Sequence, residues 1–216
     1  MRTATKLLLL SLAIVFTACE KEVDNVTGNN TGNTGGTGGT GNTGNIEGDY
    51  DFVGMAAHTE AAVTIAAQGS ELKSVTVADY VTTENSGTMK ITSDQLISTN
   101  MAYSIDTVMN VKTYLDNVLF DDSDVPYVVS SPPSSSTTPY VRNRADSITA
   151  TGLMGIPSDP SDPGTIPTGQ AGFTLSWSGD TLIMTTNTSF TQSISQNGVP
   201  GTAVSTLKGT FKLKKH

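Results

Sequence analysis

Apolar and polar residues alternate along much of the stretch from residue 47 to residue 216, and this alternation limits the folds open to the chain. A period of two places every second side chain on the same face of a β-strand, whereas a helix needs apolar residues three and four positions apart. No segment keeps the helical spacing over three turns. The pattern therefore predicts an all-β domain over residues 47–216, built from about eight to ten strands.

Short turn sequences separate these strands and indicate how they connect. Asp116–Asn117, Ser178–Asp180 and Gln196–Gly198 are typical of the tight turns in β-hairpins. A succession of hairpins without a crossover helix predicts an antiparallel up-and-down β-barrel, and a β-sandwich is the alternative. The stretches at residues 130–139 and 157–169, which are rich in Ser, Thr, Gly and Pro, are predicted to be long loops.

Two segments carry the inward-facing pattern most clearly. Residues 97–105 keep one apolar face along their length, and residues 173–177 repeat the alternation further along the chain. In a barrel of about eight strands, inward side chains either fill a core or line a small pocket. The candidate residues for this barrel interior or ligand pocket are Ile97, Met101, Tyr103, Ile105, Phe173, Leu175 and Trp177.

Residues 1–18 have the features of a secretory signal peptide. Arg2 and Lys6 form a basic start, and residues 7–16 are apolar except for one serine. An apolar run of this length spans about 15 Å as a helix, which is roughly half of the hydrocarbon thickness of a bilayer. The segment is therefore too short for a transmembrane helix, and the two small residues before Cys19 predict a cleavage site.

Cys19 is the single cysteine of the chain, and it directly follows the predicted cleavage site. This arrangement resembles the signal peptides of bacterial lipoproteins, which implies that Cys19 becomes the first residue and is acylated, for example with palmitate. One acyl chain holds a protein at a membrane only marginally, whereas two or three hold it firmly. The charged residues 20–24 are similar to the signals of Bacteroidota lipoproteins destined for the outside of the outer membrane. We therefore expect an outer-membrane lipoprotein on the periplasmic or cell-surface side.

Residues 19–46 separate the predicted lipid anchor from the β domain. From residue 25 to residue 45 the chain consists of Asn, Thr and Gly apart from Val26, with glycine at every third position from 32 to 44. A collagen helix would need proline and more triplets, and a segment with so little apolar surface is predicted to be a disordered, low-complexity linker. A tether of about 22 residues has a root-mean-square reach of about 25 Å.

The β domain resembles the lipocalins at two places. Gly48–Tyr50 resembles the Gly-x-Trp sequence that begins the first lipocalin strand, with Tyr in place of Trp. Residues 179–184 are similar to a turn and strand near the end of lipocalin-like domains in Bacteroidota lipoproteins. The resemblance covers residues 47–216 and implies an eight-stranded barrel that can enclose an apolar cavity. It also implies a cation beside the aromatic residue at the closed end, and Lys208 or Lys212 would have to supply it.

Charge and cysteine content exclude several classes of partner and site. The chain has 12 Lys and Arg against 20 Asp and Glu, and removal of residues 1–18 would change its net charge from −8 to −10. Nucleic acids demand clustered cations, so this acidic chain is not expected to bind them. A single cysteine allows neither an internal disulfide nor a cysteine-rich metal site.

The candidate catalytic and metal-binding residues are few. His58 would have to serve any Ser-His-Asp mechanism, and no nucleophile-elbow sequence lies near it. The acids at residues 121–124 and 159–162 are close enough to share a cation, but neither group has the spacing of an EF-hand calcium loop. We therefore expect no enzyme activity, cofactor or metal ion.

Two functions fit these observations. The first is a membrane-anchored, lipocalin-like lipoprotein of the cell envelope, held in the bilayer by acylated Cys19, whose candidate ligand is a small hydrophobic molecule. The alternative is a non-enzymatic interaction or accessory protein of the envelope with a filled barrel core, which uses its long loops as the working surface. The two differ in whether the inward side chains leave a cavity.

Overall fold

A computed structural model describes residues 45–67, 69–151, 170–196 and 198–216, and almost all of them are in β-strands. Cys19, most of the predicted tether and the predicted loop at 157–169 lie outside the described residues. The predicted all-β antiparallel fold is confirmed. The strands are β1 (Gly48–Ala67), β2 (Ser70–Val81), β3 (Thr83–Ile91), β4 (Gln95–Leu115), β5 (Val118–Arg144), β6 (Ser147–Thr151), β7 (Gln170–Ser178), β8 (Thr181–Gln196) and β9 (Val199–Lys215).

These nine strands form one antiparallel sheet whose hydrogen bonds close into a ring. Each strand from β3 to β8 pairs with the next one along the chain, and β9 pairs with β1. β2 and β3 share one place in the ring, because β2 pairs with the second half of β1 and β3 pairs with Gly48–Asp51. The ring is barrel-like, and its number of strands lies within the predicted range.

Strand length gives the ring two unlike ends. One end of the ring contains the start of β1, the turn at Gly179–Asp180 and the end of β9, and we call it the closed end. β6 and β7 are short, whereas the β1–β2, β4–β5 and β8–β9 hairpins continue well beyond them. At about 3.3 Å per residue, β1 spans about 65 Å. The turns of the three long hairpins therefore lie far from the closed end.

The buried apolar side chains concentrate in the complete part of the ring, near the closed end. Leu182 and Met184 on β8 are fully buried there, and Phe211 and Leu213 on β9 are almost so. Side chains at every second position face inward, so each strand contributes one apolar face to the same core. Burial of such a side chain contributes about 1.5–3 kcal/mol. Among the described residues the core also includes Ile46, Tyr50, Phe52, Met55, Met89, Ile91, Leu96, Met101, Tyr103, Ile105, Tyr140, Ile148, Ala150, Ala171, Phe173 and Leu175.

Tyr50 closes the core at the closed end. Its side chain is fully buried, and its hydroxyl group donates a 2.6 Å hydrogen bond to the carbonyl oxygen of Ile46. Its ring centroid lies 6.4 Å from that of Trp177, a distance at which aromatic rings attract each other. Tyr50 therefore belongs to the core, and its hydrogen bond holds Ile46, which precedes β1, against that core.

A lysine does lie beside this aromatic pair, but it is not one of the two expected. The Nζ atom of Lys215 lies 6.0 Å from the centroid of the Trp177 ring, within the range of a cation–π contact. Lys208 lies opposite His58, and Lys212 lies on the outward face of β9, where it is exposed. The expectation that Lys208 or Lys212 supplies this cation is wrong, because both residues are farther from the closed end than Lys215.

Residues 130–139, predicted to be a loop from their Ser, Thr and Pro content, form part of β5 instead. They pair with β4, from Ser130–Ser104 to Pro139–Gln95. Among the described strands, none pairs with the other side of β5 before Tyr140. Proline is compatible with such an edge because no partner strand requires its missing N–H donor. Composition misled the prediction because an edge strand tolerates the same residues as a loop.

We expect the fold to lose stability above pH 10. Burial, with a smaller effect from the neighbouring Tyr140, raises the pKa of Tyr50 to about 12, and burial also raises the pKa of Tyr103 and of Tyr140. Because the folded protein holds these phenol protons more tightly than the unfolded chain, the stabilisation by the three tyrosines should be fully present below pH 10. It should then fall between pH 10 and 12, by about 1–2 kcal/mol for Tyr50 once solvent screening is allowed for, and further as the other two tyrosines contribute in the same direction.

Urea unfolding at a series of pH values would measure this decline. The matched variant is Tyr50→Phe, which removes one of the titrating hydroxyl groups and keeps the ring. Its free energy of unfolding should fall less steeply between pH 10 and 12 than that of the original protein. An equal slope in the two proteins would mean that Tyr50 does not contribute to the alkaline transition.

Candidate functional site

Most of the predicted interior residues lie in the buried core. The Phe173 ring packs edge-on against Phe211 with centroids 6.0 Å apart, and Tyr103 packs against Phe52 in the same way at 6.4 Å. Trp177 is half-buried and packs against the buried core. The buried members of the predicted set are Met101, Tyr103, Ile105, Phe173 and Leu175.

Ile97 does not belong to this inward face. It is half-buried, and its partners on the neighbouring strands, Lys90 and Thr137, are exposed. The inward position is that of Leu96, which is 1% exposed. The alternation changes phase at Asn100, where the pairing of β4 shifts in register. Ile97 is therefore removed from the candidate interior.

The phase change has a local cause in the approach of two backbones. Gly87 on β3 adopts a φ of 100°, and a Cβ atom at this position would lie 2.5 Å from the carbonyl oxygen of Asn100. Only glycine permits this contact without strain. Asn100 itself has a φ of 50°, a conformation that asparagine tolerates better than most residues. The resulting bulge sets Met101 and Tyr103 inward.

Most polar groups of the described interior have hydrogen-bond partners; the hydroxyl group of Thr186, which is 2% exposed, has none. The Tyr50 hydroxyl donates to a backbone carbonyl, and the Tyr140 hydroxyl donates to the carbonyl oxygen of Thr92 at 2.6 Å. The hydroxyl groups of Ser98 and Ser136 lie 2.8 Å apart. Ligand pockets combine apolar walls with a few polar groups that point at the ligand. The arrangement here is instead that of a packed core.

A cavity of about 580 Å³ is open to solvent and includes outward-facing residues of β1, β2 and β9. His58 and Lys208 lie opposite each other on β1 and β9, and Asp79 continues the same row on β2. These residues face outward, since Val81 on the same face is 66% exposed while Ala57 on the opposite face is buried. The residues around the cavity are Ala56, Ala57, His58, Asp79, Tyr80, Val81, Asp106, Thr107, Lys208 and Thr210.

The chemistry available in this cavity is limited. The Nδ1 atom of His58 lies 2.9 Å from an oxygen of Asp79, which is the geometry of a base held by a carboxylate. A nucleophilic mechanism needs a hydroxyl or thiol group on the other ring nitrogen. Within the described residues, His58 makes no hydrogen bond with a serine or threonine hydroxyl. The pair is exposed, and its geometry is that of a surface hydrogen bond.

The acids at 121–124 are held by neighbouring side chains. The Asn110 amide nitrogen donates to Asp122 at 2.8 Å and to Asp124 at 3.1 Å, and Asp122 also lies 3.6 Å from Lys112. No group of three His, Cys, Asp or Glu side chains in the described part of the chain is placed to hold a metal ion. Asp159 and Asp162 lie outside that part.

A surface that the sequence interpretation missed lies at the turn of the β4–β5 hairpin. Four large apolar side chains surround this turn and are 45–69% exposed. We call them the apolar tip; they are Leu115, Val118, Leu119 and Phe120. The signal was present in the sequence, because three consecutive apolar residues, 118–120, break the alternation immediately after the turn. Exposed apolar patches of this kind mark interaction sites in many proteins.

No protein-family model, curated protein or solved structure matches this chain. The lipocalin-like and lipoprotein resemblances therefore remain predictions from the residues that carry them. Among the described residues, no helix is long and apolar enough to span a membrane.

We expect Phe173→Ala to destabilise the protein by about 3–5 kcal/mol, because it removes a ring from a filled core. Urea unfolding would measure the change. Val141→Ala is the matched control, since Val141 is 67% exposed on β5 and should change the free energy by about 0.5 kcal/mol or less. If Phe173 lined an open pocket, its truncation would cost little more than that of Val141.

Proposed function

We propose that this protein is a lipid-anchored interaction protein of the outer cell envelope, with a filled core and no enzymatic role. The packed interior carries the proposal. Phe173, Phe211, Tyr103 and Phe52 occupy the space that a carrier would reserve for its ligand. Ligand carriage needs a cavity of a few hundred cubic ångströms, and one cavity of this size among the described residues is open to solvent and has the charged side chains of Asp79 and Lys208 around it.

The surface outside the ring supports the interaction role. The apolar tip projects from a hairpin that extends well beyond the complete part of the ring. Exposed side chains of this size lose water only when a partner covers them, so their burial would favour association. The predicted loops at 130–139 and 157–169 are not needed for this role, since the first is an edge strand.

The predicted anchor fits the same role. The domain carries excess negative charge, which cannot hold an anionic membrane surface, so attachment would depend on the acyl chains at Cys19. The tether joins the domain at the closed end, and the apolar tip lies at the far end of a long hairpin. Anchor and binding surface would thus be at opposite ends of the molecule.

Native mass spectrometry of the protein extracted from its own membranes in mild detergent tests the filled core. We expect the mass of the chain plus its acyl groups, with no additional small apolar molecule. Phe173→Ala, extracted in the same way, is an informative comparison because it opens space in the core. A stoichiometric small molecule on the original protein would contradict the interaction role and favour ligand carriage.

Membrane fractionation of Cys19→Ser tests the anchor. We expect this variant to leave the membrane fraction, because loss of two or three acyl chains removes the main attachment energy of about 0.8 kcal/mol per buried methylene. The matched control is a serine substitution at another residue of the tether, Thr31→Ser, which should stay with the membrane. Retention of Cys19→Ser in the membrane fraction would show that another element holds the protein there.

A further inference from the structure

The exposed apolar residues are unevenly distributed over the surface. Most of the exposed large apolar side chains of the described residues lie between Val108 and Val128 on the β4–β5 hairpin. The apolar tip is the densest part of this group. Phe120 is the extra residue of a bulge, because Thr113 pairs with Asp121 while Tyr114 pairs with Leu119. The bulge pushes the largest side chain of the tip out of the regular ladder.

The tip is held rigidly by the neighbouring hairpin. The backbone N–H of Asp116 donates to the Glu71 carbonyl oxygen at 2.9 Å, and the backbone N–H of Glu71 donates to the Asp116 carboxylate at 2.8 Å. Asp116 and Asn117 have φ values of 51° and 64°, as a two-residue hairpin turn of this type requires. A surface ordered in advance loses less conformational entropy on binding.

Carboxylates surround the apolar tip. Asp116 lies at the turn, and Asp121, Asp122 and Asp124 follow the tip on β5; we call these four the acidic rim. Lys112 pairs with Asp122 at 3.6 Å, which leaves the rim negative as a whole. Such a rim repels the anionic headgroups of a membrane and attracts a basic surface. The partner of the tip should therefore offer an apolar contact beside several lysines.

The protein itself carries such a surface near its closed end. Lys208, Lys212 and Lys214 are exposed on the outward face of β9, and we call them the basic stripe. Lys214 lies 3.8 Å from Asp180 and opposite Asp51 on β1, while Lys208 and Lys212 make no ion pair with another described residue. At about 3.3 Å per residue the stripe is about 20 Å long, enough to face the acidic rim.

An exposed valine on β1 lies beside the basic stripe. Val53 is 44% exposed and is the extra residue of the bulge in β1, since Phe52 pairs with Leu213 while Gly54 pairs with Lys212. Val53 therefore lies beside Lys212 on the outside of the ring. Val53 and the basic stripe together offer an apolar side chain beside cations, which is the complement of the apolar tip and its acidic rim.

We propose that the apolar tip of one copy binds the basic stripe and Val53 of a second copy, head to tail. The proposal rests on the interaction role proposed above and names its partner. The two surfaces differ, so the contact is heterologous and leaves a free tip at one end and a free stripe at the other. Further copies can add at both ends, and the assembly grows with protein concentration.

Sedimentation velocity of the full chain carrying Cys19→Ser tests the proposal without the lipid anchor. We expect the average mass to rise with concentration and to fall when salt is added, because charge attraction contributes to the contact. In this background, Phe120→Ser should weaken association by about tenfold or more, as expected for an aromatic residue at the centre of a contact. Val128→Ser is the matched control, an exposed valine on the same hairpin outside the tip, and it should associate normally.

Charge reversal provides the sharper test. With Lys112 counted, Asp121→Lys and Asp124→Lys change the charge of the rim from −3 to +1, and Lys212→Asp and Lys214→Asp change the charge of the stripe from +3 to −1. Each pair alone should abolish self-association, because two surfaces of like charge would meet. A mixture of the two variants, or one chain carrying all four changes, should associate again. Both pairs leave Asp122 in place, so its ion pair with Lys112 is kept.

Three outcomes would overturn the proposal. The first is a monomer at every concentration, and the second is unchanged association of the Phe120→Ser variant. The third is binding of the monomeric chain to phosphatidylcholine vesicles that depends on Phe120, which would make the tip a membrane contact. None of these contradicts the interaction role itself, which fails instead if native mass spectrometry finds a stoichiometric small ligand.

Discussion

The pairing of β9 with β1 is the interaction on which the rest of the structure depends. It runs from Tyr50–Lys215 to Ile65–Gly201 and joins the last described strand to the first. Without it, β1 and β9 would each present a long unpaired edge, and the inward faces of the sheet would have nothing to enclose. Only 6% of the residues are aromatic, so the chain buries few large rings and relies on a closed hydrogen-bond ladder to bring them together.

The long strands enclose a buried core near the closed end and form extended hairpins beyond it. Near the closed end they form the wall of a core, in which residues such as Leu182 and Leu213 are fully or almost fully buried. Beyond the ends of β6 and β7, most residues of β2 are only half-buried on both faces. Hydrophobic burial therefore stabilises one end of the molecule, and hydrogen bonds between long strands carry the hairpins outward from it. Acids cluster at the turn of the β4–β5 hairpin, whereas the lysines along β9 have carboxylates such as Asp51 and Asp180 beside them.

Much of the fold can be predicted from the alternation of apolar and polar residues and from the turn sequences. The predictions are wrong where contacts between distant strands change the local pattern. Alternation correctly places Phe173 and Leu175 inside, because β7 is regular. It misplaces Ile97 because the bulge at Asn100 depends on the approach of Gly87 from another strand, which no local pattern reports. The apolar tip went unrecognised since apolar residues beside a hairpin turn are normally buried. By contrast, the interpretation of Cys19 rests on sequence alone.

The position of the tether at the closed end has a mechanical consequence. A pull between the start of β1 and the far hairpin turns acts along the strands, at right angles to the hydrogen bonds that join β1 to β9 and β2. In that direction the load is shared by all the hydrogen bonds between the strands, which are sheared together and do not break one after another. A load applied between the start of β1 and the apolar tip would thus act along the axis in which the sheet is strongest.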